Sequence, residues 1–310
     1  MICNKIKLYP DREDVTLTTY VLDDSPEMLG GKNRGAVIIC PGGAFVYCSD
    51  REGEPIAMEF AAMGYHAFVL RYSVYNENKE GEFLPDFSGP LEQKLQCAFP
   101  NFLYDLGTAM LFIREHAEEW HVDTDKIAIC DFSAGGQVCS LYAAYHDRPL
   151  LTEYFHVDAK MLRPATAIIA YGVSDNTLPA EKIEDPVLAA LMKLAEDTVV
   201  GDHERSDEFA REISSAKCVN EHTPPMFLWA TAQDGNGKQT LALANALADA
   251  KVPYEVHVFE EGQHGLSTAT QASAGCPEQI NARVAQWVPL AESWLEKRMA
   301  LEFPETKIGF

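Results

Sequence analysis

Three side-chain types that together can open a carboxyl bond recur in a fixed order along this chain. A serine ends the stretch Ile127-Ala-Ile-Cys-Asp-Phe-Ser-Ala-Gly-Gly136, where strand-forming apolar residues give way to small ones. This pattern places a serine on a strained strand-to-helix turn with its hydroxyl exposed. A serine hydroxyl is a poor nucleophile at neutral pH, so Ser133 needs a base, an acid that orients the base, and donors for a developing oxyanion. Asp234 follows the apolar run Met226 to Thr231, and His264 follows Tyr254 to Phe259 inside Glu-Glu-Gly-Gln-His-Gly. The order Ser133, Asp234, His264 is the one that accompanies a nucleophile elbow. In these roles His264 takes the serine proton and returns it to the leaving group, while Asp234 holds the imidazole tautomer.

The oxyanion donors are expected from Cys40-Pro-Gly-Gly-Ala-Phe45, which follows another buried apolar run. Gly43 is the first candidate, with the amide of Ala134 beside the nucleophile. For a second donor on the loop, the sequence does not separate Gly42 from Ala44. Asp175 rivals Asp234, because it follows the run Ala165 to Val173; triad order favours Asp234. Phe45, Tyr47, Tyr72 and Phe87 fall on loops or strand ends that can line a substrate pocket or simply pack. Arg51 and Glu54 read as an ion pair that orients the oxyanion loop. Gly235-Asn-Gly-Lys238 lacks the first glycine and the Ser/Thr of a phosphate loop. No metal-binding His/Cys pattern and no dinucleotide glycine pattern exists, so neither metal nor cofactor is expected.

Strands that deliver these groups must alternate with helices. Val15–Val21, 35–40, 66–72, 126–130, 165–173, 226–231 and 254–259 read as strands. Helical spacing covers 55–63, 101–120, the segment from Ser133 to about Tyr145, and 279–298. Residues 75–92 read as a loop. Such alternation implies one α/β domain over residues 1–310, with a mostly parallel, doubly wound sheet and catalytic groups at the strands' carboxyl ends. The acidic stretch 174–223, with an amphipathic helix at 186–196, reads as a cap inserted over the site.

Composition narrows the partners. Apolar residues form 47% of the 310, enough for a core, yet no run is long enough to span a membrane. A net charge of −22 repels nucleic acid and anionic membranes. None of the eight cysteines forms a CxxC pair, and no secretory signal is visible, which favours a reduced, cytoplasmic setting. A homodimer is compatible with the sequence, which does not fix the oligomeric state.

The motifs together resemble the α/β-hydrolase fold and, within it, a bacterial esterase/lipase-like family that includes acetyl-xylan and feruloyl esterases. Pro41-Gly-Gly-Ala-Phe45 stands where that family has its oxyanion loop. Arg51-Glu-Gly-Glu-Pro-Ile-Ala57, Thr223-Pro-Pro-Met-Phe-Leu-Trp229 and Gly262-Gln-His-Gly-Leu-Ser267 resemble the segments that follow the loop and carry the acid and the base. The resemblance runs from about residue 35 to 297. It implies a cofactor-free serine hydrolase acting on a small-molecule ester with a short acyl group, such as an acetylated carbohydrate. An amidase, peptidase or formamidase using the same triad, or an inactive binding protein on the same fold, are the alternatives. Asp131 departs from the pattern, since the family usually has glycine two residues before the serine. It is expected either to hydrogen-bond the adjacent backbone or a basic group, or to tune the site, for instance by raising the pKa of His264.

Overall fold

In the computed structural model, residues 1–79, 81, 83–179 and 183–304 are described. Residues 80 and 82 of the expected loop, 180–182 of the expected cap and 305–310 lie outside them. The chain begins with β1 (Lys5–Tyr9), β2 (Arg12–Tyr20), β3 (Arg34–Cys40), α1 (Glu54–Ala62) and β4 (His66–Arg71). It continues through α2 (Asn101–Glu115), α3 (Ala117–Trp120), β5 (Val122–Phe132), α4 (Ala134–Tyr145), α5 (Pro149–Phe155), α6 (Ala159–Leu162) and β6 (Ala167–Ala170). Then come α7 (Pro186–Val200), α8 (Asp207–Glu212), α9 (Ser215–Cys218), β7 (Met226–Thr231), α10 (Gly237–Asp249), β8 (Tyr254–Phe259) and α11 (Trp287–Met299).

The eight strands form one sheet in the order β1-β2-β4-β3-β5-β6-β7-β8. The β1–β2 and β2–β4 pairs are antiparallel, and every pairing from β4 to β8 is parallel. Strand alternation sorts the core into two layers. Val37, Ile39, Ala128, Cys130 and Phe132 pack with α1 and α11 through Ile56, Phe60, Trp287 and Leu295. Ala36, Ile38, Ile127 and Ile129 pack on the opposite face with α2, α4 and α10 through Leu103, Val138 and Leu243. With both faces covered, the central strands are continuous apolar runs, which is what parallel sheets require.

Some elements differ from expectation, each for a local reason. β1 was not anticipated; polar Lys5 and Lys7 mask it, and it is an edge strand with exposed positions. α10 was not anticipated either, although its alanine-rich sequence favours a helix. The closing helix starts at Trp287 rather than at residue 279, after 3-10 turns at Pro277–Gln279 and Val284–Gln286. Pro289 lacks an N–H and is tolerated only in a first turn, which fixes that start. The expected helix over 101–120 is broken at His116 into α2 and α3. The described residues of 75–92 form neither helix nor strand.

The segment 174–223 carries α7, α8 and α9. It is tied down by Phe99 N–H donating to the Val199 carbonyl (3.0 Å) and by Leu194 packing on Val46, beside the expected oxyanion loop. None of the described helices is long and apolar enough to cross a membrane.

Candidate active site

The carboxyl ends of β3, β5, β7 and β8 converge, and each delivers one component. β5 stops at Phe132, and Ser133 takes φ 56°, ψ −115° before α4 begins. A side-chain-bearing residue in such a conformation costs about 1–3 kcal/mol, which surrounding contacts must offset. Ser133 N–H donates to the Ala170 carbonyl at 3.0 Å, and Gly136 N–H donates to the Ser133 carbonyl at 2.9 Å. The turn also needs close backbone approach. A Cβ at Gly135 would lie 2.2 Å from the Cys40 carbonyl oxygen, and one at Gly42 would lie 2.8 Å from Cβ of Ser133. Small residues at 42 and 135 therefore let the β3 loop sit directly against Ser133.

Ser133, His264 and Asp234 come together in a chain of hydrogen bonds. The His264 Nδ1 to Asp234 Oδ2 distance is 2.8 Å, and the Ser133 Oγ to His264 Nε2 distance is 2.7 Å. A carboxylate only accepts, so Nδ1 carries the proton and Nε2 is left to accept from the serine hydroxyl. Asp234 is buried and its other oxygen accepts from Asn236 N–H at 3.0 Å, while His264 keeps 43% of its side-chain surface open to solvent and the rest covered. Desolvation pulls the pKa of His264 down; the hydrogen bond and charge of Asp234, with a smaller contribution from Glu52, outweigh it, and the pKa is raised. Asp175 does not share this site. It accepts from Thr177 N–H and hydroxyl at 3.0 and 2.5 Å and pairs with Lys217 at 2.8 Å, anchoring the start of the 174–223 segment to α9.

The β3 loop presents a run of left-handed backbone, with φ 124° at Gly43, 55° at Ala44 and 56° at Phe45. Val46 and Tyr47 N–H groups both donate to the Gly43 carbonyl, at 2.9 and 3.2 Å, and Tyr75 N–H donates to the Phe45 carbonyl at 2.8 Å. Gly42 N–H is already engaged by Glu52 Oε2 at 2.8 Å. Among the described residues, the amides of Gly43, Ala44 and Ala134 have no acceptor. Of the two loop candidates, Ala44 therefore keeps an unengaged amide and Gly42 does not.

Two of the tentative pocket residues belong to the core instead. Tyr72 is fully buried and its hydroxyl donates to the Pro41 carbonyl at 2.8 Å, bracing the loop from behind. Phe45 is buried against Phe102 and Tyr72, because the left-handed turn directs its ring inward. Tyr47 is half-buried and meets Phe83 edge-on at 5.5 Å, and Phe87 is half-buried against the Val46, Tyr75 and Leu194 cluster. Neither Arg51 nor Glu54 takes the expected ion pair. Arg51 Nε donates to the Ser273 carbonyl at 2.6 Å, and Glu54 accepts from Tyr20 hydroxyl at 3.2 Å.

Glu52 and Tyr171 are the residues that sequence reasoning missed. Glu52 lies in an acidic run that reads as exposed, yet it is buried; Tyr171, a polar aromatic at the end of β6, gave the only signal. Asp131 is fully buried, and its Oδ1 accepts from Ala170 N–H at 3.3 Å while Oδ2 has no hydrogen-bond partner among the described residues. Burial holds its carboxyl well above the usual range. It projects toward α4, where glycine at 136 leaves room, since a Cβ there would sit 3.2 Å from Oδ1. No group of three or more His, Cys, Asp or Glu among the described residues is arranged to hold a metal ion.

Comparison with known proteins gives concordant matches. The BD-FAE family profile matches residues 91–247. Endo-1,4-beta-xylanase B of Butyrivibrio fibrisolvens is 31% identical over 242 residues, covering 76% of this chain and 33% of that protein. The chain therefore spans about a third of that curated relative's length. Among solved structures, a carboxylesterase from Lactobacillus plantarum is similar with a TM-score of 0.78 and 27% identity, over 98% of this chain and 100% of the other. An alpha/beta hydrolase enzyme from a Medee basin deep-sea metagenome library is similar with a TM-score of 0.69 and 30% identity, over 97% of this chain and 99% of the other.

Proposed function

The chain belongs to the BD-FAE family and has the α/β-hydrolase fold, and from that premise we propose that it hydrolyses carboxylic esters through an acyl-enzyme on Ser133. One observation carries this mechanism: the unbroken hydrogen-bond chain from Ser133 Oγ through His264 to Asp234, beside amides that have no acceptor. Ser133 Oγ attacks the ester carbonyl as its proton passes to His264 Nε2. The oxyanion of the tetrahedral intermediate is received by the Gly43, Ala44 and Ala134 N–H groups, each such donor contributing about 3–4 kcal/mol. Collapse expels the alcohol, which takes the proton from His264. Water then attacks the acyl-enzyme with His264 as base, releasing the carboxylic acid and the free serine. Asp234 fixes the tautomer and stabilises the imidazolium in both halves.

The substrate class is a small, soluble ester with a short acyl group, including acetylated carbohydrate. The kinship with a xylanase and a carboxylesterase supports it. Eight unpaired cysteines and a net charge of −22 support a reducing, cytoplasmic setting without nucleic-acid partners. The test is a panel of p-nitrophenyl esters from acetyl to octanoyl, acetylated xylo-oligosaccharides, and matched anilide and peptide substrates, run beside Ser133→Ala. Turnover highest on acetyl esters and lost in Ser133→Ala is the expected result. Faster turnover of the anilide or peptide than of the acetyl ester refutes the ester preference.

A further inference from the structure

Glu52 is buried directly behind the oxyanion loop and is not part of the triad. Both of its oxygens are occupied by donors: Oε2 accepts from Gly42 N–H at 2.8 Å, and Oε1 accepts from the Tyr171 hydroxyl at 2.7 Å. The Tyr171 oxygen in turn accepts from the N–H of Ser267, three residues beyond His264, at 3.0 Å. The Tyr171 ring stands edge-on to the imidazole, with centroids 5.1 Å apart. Ser267 is fixed further by its hydroxyl donating to the Arg51 carbonyl at 2.6 Å and by Trp287 Nε1–H donating to the Ser267 carbonyl at 2.9 Å. One carboxylate thus joins three segments remote in sequence: the oxyanion loop, the end of β6 and the loop that carries the base.

The donor pattern selects the ionised form. Because Tyr171 accepts from Ser267, its own proton goes to Glu52, and Gly42 N–H can only donate. A neutral carboxyl at this place would add an O–H where both neighbours already donate. Burial pushes the Glu52 carboxyl up, while the Tyr171 hydrogen bond, the His264 charge, the Gly42 N–H and Arg51 pull it down; the balance is upward. The other titratable groups that feel its charge are Tyr47, Tyr72, Cys130 and Asp131.

We propose that Glu52 is a positioning residue for hydrolysis: its carboxylate seats the oxyanion loop and the histidine loop against one another and stands as a second negative charge behind the imidazolium formed during catalysis. This rests on the hydrolase function proposed above. Uncompensated burial of a carboxylate is costly, and here it is met by hydrogen bonds aimed at the two loops that must agree in position. Removing the charge without removing the side chain therefore disturbs both the amide donors and the base.

The experiment compares wild type, Glu52→Gln, Tyr171→Phe and Ser133→Ala on p-nitrophenyl acetate, with active-site titration to count functional sites. Glu52→Gln is expected to lower kcat about 10- to 100-fold, short of the roughly 10²–10³-fold loss of a whole oxyanion donor, with KM within about threefold. Its acid limb of kcat/KM moves to lower pH, since Glu52 helps to raise the pKa of His264. A purely structural role lowers the melting temperature and the fraction of titratable sites, and leaves the acid limb where it was. Tyr171→Phe keeps the buried ring but cuts the tie to Ser267; it is expected to lower kcat about tenfold and carries the test should Glu52→Gln fail to fold. Per-site kcat within twofold of wild type in the folded variants, with an unmoved acid limb, overturns the proposal. Wild-type turnover that survives in Ser133→Ala overturns the hydrolase function instead, and the role of Glu52 with it.

Discussion

Substitution of Gly42 by alanine isolates the contact between the oxyanion loop and the nucleophile. The φ of Gly42 lies outside the left-handed region, so alanine meets no backbone penalty there; the cost is steric. The added methyl would lie 2.7 Å from Glu52 Oε2, 2.7 Å from the Phe132 carbonyl oxygen and 2.8 Å from Ser133 Cβ. Two of those atoms belong to the elbow, which hydrogen bonds and Gly135 hold in place. Relief therefore comes from the loop backing away by about 0.7 Å, measured from the 2.7 Å Phe132 contact to the 3.4 Å of ordinary contact. Overpacking of this kind costs about 1–3 kcal/mol of stability. That is a fall in Tm of a few degrees, which leaves the protein folded. The catalytic cost is larger, because oxyanion donors act only over about 2.7–3.1 Å, and losing one costs roughly 10²–10³ in kcat. We expect Gly42→Ala to lose about 100-fold in kcat on p-nitrophenyl acetate, with Ser133 still titratable by a fluorophosphonate. Gly89→Ala, where the new methyl meets nothing within 4 Å, is the control and should change neither rate nor Tm. A Gly42→Ala enzyme with kcat within threefold of wild type refutes the steric argument.

Asp234→Asn should lower kcat about 10⁴-fold by allowing the wrong imidazole tautomer. Asp175→Asn, which cuts an ion pair away from the site, should stay within about threefold of wild type on the same ester. The base must be neutral to act, and Asp234 outweighs desolvation to raise His264. The acid limb of a wild-type kcat/KM profile should therefore fall above pH 6.5, with activity lost as pH drops through it; a limb below pH 6 contradicts this. Asp131 is an acid whose folded pKa is raised by burial, so it favours folding fully below its unfolded pKa of about 4, and that contribution is lost as pH rises through the folded value. Asp131→Asn removes the ionisation. The Tm of the variant minus that of wild type should grow between pH 4 and pH 8, and a difference that does not change with pH contradicts the assignment.

Much of the site was legible because its components obey short-range rules. Apolar β-branched runs ending in Pro-Gly-Gly or Asp-Phe-Ser-Ala-Gly-Gly mark buried strands whose carboxyl ends turn sharply, and parallel strands bring such ends together whatever their separation in sequence. Which of Gly42 and Ala44 keeps an unengaged amide was not legible, since it depends on Glu52, which is buried where Gly42 N–H and the Tyr171 hydroxyl meet its carboxylate rather than by local pattern. That Phe45 packs inward was equally hidden: the left-handed turn at 43–45 decides which way its ring faces, and L residues at φ near 55° are not anticipated from their type, while Tyr72, just past β4, is buried with its hydroxyl on the Pro41 carbonyl. Asp131 likewise resolves only in three dimensions, where its Oδ1 takes Ala170 N–H and its charge does not figure among the groups that shift His264. The helical patterns at 101–120 and 279–298 were overextended because periodicity persists through His116 and across the 3-10 turns before Pro289.

The most direct measurement is the site of covalent reaction. Folded wild type treated with a fluorophosphonate probe at pH 8, digested and mapped by mass spectrometry, should carry one adduct on Ser133, and the rate of labelling should collapse in His264→Ala. An adduct on another residue, no adduct at all, or a labelling rate indifferent to loss of the imidazole contradicts the hydrolytic triad.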